Sequence, residues 1–244
     1  MPVAETFVSI QGEGLLTGVP SYFVRLSGCN LRCVWCDTPY ASWKPEGATR
    51  SIDELVEGAR ACGVGHAVLT GGEPMLFAGL CELSSRLSLP RERGGAGMHV
   101  TIETAGTVLP RDPAWDLACD LMSISPKLAN STPKGDARDP SGAWAARHEA
   151  RRLNLLLLQE LLDRFPAGKR QLKFVVSQEA DMAEIDGLLG RLHGWRPEEV
   201  LLMPEGVTTP SAEKRAMVVA ACTARGFSYC HRLHIELFGN TRGT

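Results

Sequence analysis

Three thiols fall within eight residues of this chain: Cys29, Cys33 and Cys36, in the stretch Gly28-Cys-Asn-Leu-Arg-Cys-Val-Trp-Cys-Asp-Thr38. Thiolates at such spacing suit zinc or an iron–sulfur centre. A closed zinc tetrahedron usually draws on two cysteine pairs, or a pair with two histidines. No fourth cysteine stands at a matching distance, and the nearest downstream histidine, His66, falls in an expected strand. A cubane normally takes one thiolate per iron, so three thiolates leave one iron without a protein ligand. An open position is what a catalytic metal site keeps for a substrate or cosubstrate. The residues alone leave the zinc reading standing beside the cubane.

A second motif, Gly71-Gly-Glu-Pro74, follows the apolar run His66–Thr70. Glycines let backbone approach a ligand closely, and a carboxylate can bind an ammonium group. By itself the motif is also ordinary turn chemistry.

Composition narrows the setting. The 244 residues are 44% hydrophobic, enough for one large core, so a single domain over 1–244 is expected. Twenty-six basic and 28 acidic residues give a formal charge of -2, so nothing in the whole-chain balance points to nucleic acid or an anionic membrane. No apolar run approaches the ~20 residues needed to span a bilayer. An early glutamate and no basic-then-apolar start argue against a secretory signal. The expected compartment is the cytoplasm, where thiols stay reduced and a tight cysteine cluster points to metal or redox work. The other five cysteines, Cys62, Cys81, Cys119, Cys222 and Cys230, read as small core residues.

The elements that must position these motifs alternate. Strands are expected at Tyr22–Leu26, His66–Thr70, His99–Glu103, Leu121–Ile124, Gln171–Val176, Val200–Met203 and Arg232–Leu237. Helices are expected from a Ser51–Glu54 capping box through Ile52, Leu55, Val56 and Ala59 to a stop at Gly63 and Gly65, over 78–87, as one long element over 144–164, from Met182 to Leu192, and over 211–225. The stretch Asn130–Gly142 is polar and turn-rich, and is expected to be an exposed loop. Strands interleaved with helices predict a parallel α/β domain. Nearly every strand ends in a polar or glycine-bearing turn, which suits the rim of a partial or modified (β/α) barrel of six to seven strands better than a single crevice.

The spacing C-x3-C-x2-C with Trp35 before the last cysteine resembles the radical S-adenosylmethionine superfamily. The resemblance implies that Cys29, Cys33 and Cys36 hold a 4Fe–4S cluster whose fourth iron takes S-adenosylmethionine. One-electron cleavage of that cosubstrate then gives methionine and a 5′-deoxyadenosyl radical. Glu5 to Gly14, Arg25, Cys36-Asp37-Thr38, Thr70-Gly-Gly72, Glu103-Thr104-Ala-Gly-Thr107 and Ser125-Pro-Lys127 are similar to the 7-carboxy-7-deazaguanine synthase family, over most of the chain. That family contracts 6-carboxy-5,6,7,8-tetrahydropterin to a deazapurine with loss of ammonia, as a homodimer that needs magnesium.

The resemblance assigns roles residue by residue. Trp35, Asp37, Gly72, Glu73, Ser125, Pro126, Lys127 and the turn Met203-Pro204-Glu205-Gly206 would contact the cosubstrate, with Gly72 and Glu73 at its amino group. Thr38 would bind Mg2+, an ion that keeps waters and takes substrate oxygens. Ile10, Gln11, Gly12, Glu13, Arg25, Thr70, His234 and Asn240 would contact the pterin, with Arg25 pairing bidentately with its carboxylate. Met203 stands where many relatives carry glutamine. A flavodoxin or ferredoxin would serve as reductant. An activase of the same superfamily is the rival reading, but has no use for a pterin-edge sequence such as Ile10-Gln-Gly-Glu-Gly14.

Overall fold

The structure is a computed structural model that describes residues 1–110 and 115–244. Its elements in chain order are β1 (Pro2–Ile10), β2 (Pro20–Leu26), β3 (Ala48–Thr49), α1 (Ile52–Ala61), β4 (His66–Gly71), α2 (Leu80–Ser88), β5 (His99–Thr104), β6 (Leu121–Ile124), α3 (Ala143–Arg151), α4 (Leu155–Arg164), β7 (Arg170–Val176), α5 (Asp181–Leu189), β8 (Val200–Pro204), α6 (Ala212–Arg225), β9 (Ser228–Tyr229) and α7 (Leu233–Phe238). The strands form one sheet in the order β3-β1-β2-β4-β5-β6-β7-β8-β9. From β2 to β9 every neighbouring pair is parallel, and β1 is antiparallel to both β2 and β3. No pairing joins β3 to β9 among the described residues, so the sheet is an open, partial barrel.

Residue parity decides what each face of this sheet does. Side chains alternate across a strand. Val24, Leu69, Ile102, Ile124, Phe174 and Leu202 turn to one side and are fully buried in the main core with the apolar faces of α1, α2, α4, α5 and α6. Burying each such side chain contributes roughly 1.5–3 kcal/mol. Their immediate neighbours, Arg25, Thr70, Glu103, Ser123, Lys173 and Met203, face the other way and line a cavity. The capping box that starts α1 is formed: Glu54 N–H donates to Ser51 Oγ at 3.1 Å, and Ser51 N–H donates to Glu54 Oε2 at 2.7 Å.

Four expectations need correction. Arg232–Leu237 is not a strand but leads into the short helix α7. Its apolar alternation misled because only Ile235 of the three apolar residues is buried, while Leu237 is 54% exposed. Two further short strands and the antiparallel β1 bring the sheet to nine, where six to seven were expected; β1 docks through Phe7 stacked on Phe23 at 4.8 Å. The long helix over 144–164 is two helices, because Asn154 caps a new one by accepting from Leu157 N–H at 3.2 Å. The 130–142 loop is exposed only in its later part: Ser131 and Thr132 are buried under the cysteine loop. Among the described residues no helix is long and apolar enough to cross a membrane.

Candidate active site

The cavity, about 420 Å³, lies against the C-terminal strand ends. Its walls come from the cysteine loop, the polar face of the sheet, the end of β1 and the C-terminal residues from Arg232 onward.

The cysteine loop is held from outside. Cys33 is buried, and Cys29 and Cys36 are half-buried. Arg32 N–H donates to Nδ1 of the buried His148 at 3.1 Å, which leaves the other ring nitrogen to donate to Ser131 Oγ at 2.8 Å. Ser131 in turn donates to the Leu128 carbonyl at 2.6 Å and accepts Val34 N–H at its own carbonyl, 2.9 Å. Burial, with Arg152 nearby, holds His148 neutral, its pKa down at about 4. Trp43 Nε1 donates to the Cys33 carbonyl at 3.0 Å, and Cys36 Sγ lies 3.2 Å from Ser42 Oγ.

Burial, with Glu73 adding to it, pushes the Cys29 thiol up to about 12, and burial raises Cys33 as well. Such thiols ionise when a metal takes the proton's place. Among the described residues no three His, Cys, Asp or Glu side chains gather about one ion. A cubane takes each thiolate on a different iron, so spread thiols at a cavity wall fit it.

The glycine turn meets this loop directly. A Cβ on Gly72 would stand 2.1 Å from the Gly28 carbonyl oxygen and 2.6 Å from that of Ala41, so only glycine fits. Gly72 lines the cavity, but Glu73 does not. The Glu73 carboxylate is fully buried and accepts from Thr104 Oγ1 at 2.8 Å, Ala105 N–H at 2.9 Å and Met75 N–H at 3.1 Å. It therefore fixes the turn rather than facing a ligand. Pro126 and Pro204 also lie behind the wall, while Ser125, Lys127, Met203, Glu205 and Gly206 line it. Lys127 Nζ donates to Ser125 Oγ at 2.8 Å and lies 5.7 Å from the Trp35 ring centre. Trp35 packs on Val175, Leu201 and Met203, and donates to the Asn130 carbonyl at 3.1 Å.

A polar stretch of the wall comes from the sheet, β1 and the C-terminal residues. Arg25 binds Glu5 through Nε at 2.7 Å, so the terminal edge of its guanidinium carries no hydrogen bond among the described residues. Thr70 and Gln11 both donate to Glu103, at 2.8 and 3.2 Å. Glu13 lines the cavity but is ion-paired with Lys173 and with Arg232, the latter at 2.9 Å. Burial would raise the Glu13 carboxyl, yet the two cations hold it below the usual carboxylate range. Arg232 also binds Asp37 and the Gly206 carbonyl, so both of these sit beside it in the wall. Ile10, Gly12, His234 and Asn240 line the cavity, as does Thr38, whose Oγ1 is 3.8 Å from Cys36 Sγ. A Cβ on Gly12 would fall 1.9 Å from His234 Nδ1.

Glu103, Lys173 and Arg232 were not among the expected site residues. Lys173 had a signal: it interrupts the apolar run Gln171–Val176, and a lysine inside a buried strand must find a partner. Glu103 sits at a strand end beside Thr104, and only its neighbours in space show that it faces the cavity.

Comparison with known proteins agrees with this site. The model of the radical SAM superfamily matches residues 23–141. The chain is 46% identical to a 7-carboxy-7-deazaguanine synthase of Rhodopirellula baltica, over 99% of this chain and 88% of that protein. It is 43% identical to one of Halobacterium salinarum, over 100% and 93%, and 35% identical to one of Pyrobaculum aerophilum, over 99% and 96%. The fold is like that in a crystal structure of QueE from Escherichia coli, with a TM-score of 0.65 at 24% identity over 96% of this chain and 94% of that one. The chain belongs to the 7-carboxy-7-deazaguanine synthase family of radical S-adenosylmethionine enzymes.

Proposed function

We propose that this enzyme contracts 6-carboxy-5,6,7,8-tetrahydropterin to 7-carboxy-7-deazaguanine with loss of ammonia. The observation that carries the reading is the polar part of the wall formed by β1, β2 and β5. There the free edge of Arg25 suits a carboxylate, and Glu103 with Gln11 suits the donor-and-acceptor edge of a pterin. Glu13, committed to two cations, positions that wall and leaves the edge contact to Glu103.

Cys29, Cys33 and Cys36 would hold the cluster, and Gly72, Trp35, Ser125, Lys127 and the 203–206 turn would hold the cosubstrate. When bound, the two together supply one-electron cleavage chemistry and a hydrogen-abstracting radical. The chain's own part is to hold the pterin against that group and keep water out. Thr38, which lines the cavity, would give Mg2+ one hydroxyl, the ion taking its other ligands from water and substrate. The enzyme would work in the cytoplasm as a homodimer, reduced by a low-potential flavodoxin or ferredoxin.

Anaerobic reconstitution with iron and sulfide, then incubation with the pterin, S-adenosylmethionine and reductant, should yield the deazapurine and deoxyadenosine together. Cleavage of the cosubstrate without any change in the pterin would overturn the substrate assignment. Thr38→Ala should weaken activity chiefly by changing its magnesium dependence; an unaltered dependence removes that role.

A further inference from the structure

Arg32 sits inside the cysteine loop, 8% exposed, and its side chain does not line the cavity. Buried charges are ordinarily paired. Among the described residues no carboxylate pairs with Arg32. Its Nη1 donates to two backbone carbonyls, Cys29 at 2.8 Å and Leu31 at 2.7 Å. Its guanidinium carbon lies 4.0 Å from the Trp144 ring centre, a cation–π contact. Among the described residues its Nε is buried with no hydrogen-bond partner. It stands between Cys29 and Cys33 in the chain, and its reach to the Cys29 carbonyl holds its charge against the cysteine loop. A guanidinium keeps its charge across the working pH range, so this is a permanent cation in a poorly solvated place. What lacks is its anion, and the anion that this loop is built to receive is a thiolate-ligated cluster.

Resting on the radical S-adenosylmethionine reading, we propose that Arg32 is a positioning residue for the cluster, its fixed charge clamped by Trp144 and two carbonyls so that it favours the reduced state. One electron enters from a low-potential one-electron donor. No bond forms or breaks and no proton moves, so negative charge beside Arg32 rises by one unit. A nearby cation in a low-dielectric site stabilises that extra charge more than water would. The potential of an iron–sulfur centre follows such charges and its burial. Arg32 would thus make the electron easier to deliver without touching the pterin or the cosubstrate.

The test compares Arg32→Gln and Arg32→Lys with the parent, all reconstituted anaerobically without pterin. Iron content is measured first, then the midpoint potential by titration with a low-potential reductant, followed by electron paramagnetic resonance. Arg32→Gln should bind iron and shift the midpoint to a more negative value; Arg32→Lys should restore most of the parent's value. An iron-loaded Arg32→Gln with the parent's midpoint, or equal shifts in both variants, overturns the proposal. Should Arg32→Gln fail to load iron, Arg32→Lys decides. Full iron at the parent's potential supports the role of charge, and loss of iron in both overturns it. Since no pterin is present, a failed substrate assay leaves this result standing, and a flat potential leaves the substrate reading standing.

Discussion

Two faces of the same six strands, β2 and β4 to β8, carry opposite loads. On the helix side Val24, Leu69, Ile102 and Phe174 are shut away from water with no polar group among them. One residue along each strand, Arg25, Thr70, Glu103 and Lys173 face the cavity. The first face stabilises by burial and is indifferent to chemistry. The second face concentrates charge, which disfavours burial unless each group is paired. The protein meets that condition by linking its polar residues to each other: Thr70 and Gln11 to Glu103, Lys173 and Arg232 to Glu13. A strand can therefore serve both ends at once, because its period of two keeps them apart.

Substitutions on the two faces should separate activity from stability. The largest effect is expected from Cys33→Ala, on the cavity side: loss of bound iron and of all activity, with the urea unfolding of the metal-free chain nearly unchanged. Full iron content in that variant would break the division. Phe174→Ala, on the helix side, should cost about 3–5 kcal/mol in stability, read by urea denaturation, while the folded fraction still loads iron normally. Loss of iron from the folded fraction would show that the faces are coupled.

Lys173→Met tests the charged side at lower amplitude. Glu13 keeps Arg232 but loses its second cation, at a cost of about 1–3 kcal/mol. The effect should depend on pH. The folded carboxyl of Glu13 is held below the ordinary value of 4.5 by its cations. Its contribution is thus full above that ordinary value and declines as the pH falls below it, toward the depressed folded pKa. Lys173→Met should flatten this acid-side loss, and Glu13→Gln should abolish it; urea midpoints between neutral and acid pH read both. A slope unchanged by Glu13→Gln would remove Glu13 as its source.

The smallest effect is expected from Gly12→Ala. The new methyl meets the His234 ring, so the His234 side chain must move. KM for the pterin should rise with a stability change within about 1 kcal/mol, and the added substitution His234→Ala should recover part of the loss in stability. Additive effects of the two would sink the contact.

Much of the site was legible because its residues are close in sequence: the cysteines, Trp35 and Thr38 lie within one loop, and all of them line the cavity. Six of the expected strands were legible from their apolar runs. What the sequence hid was direction. Glu73 looked ligand-facing, but its carboxylate turns inward to Thr104 and Ala105, 31 and 32 residues away in the chain. Glu103 and Lys173 became visible only once parity and register placed them beside Thr70 and Glu13. The strand expected at 232–237 failed for the same reason. A six-residue alternation does not say what lies on either side, and here Leu233 N–H donates to the Gly12 carbonyl at 2.9 Å while Arg232 is drawn to Glu13.

The contact of Gly72 with the carbonyls of Gly28 and Ala41 bears on how such enzymes can be recombined. The cysteine loop and the glycine turn lie far apart in the gene, yet each is the mould of the other. A chimera that grafts a foreign cysteine loop onto this chain should therefore carry its own glycine turn with it. The pair travels as one module, and a crossover point placed between residues 41 and 71 would split it.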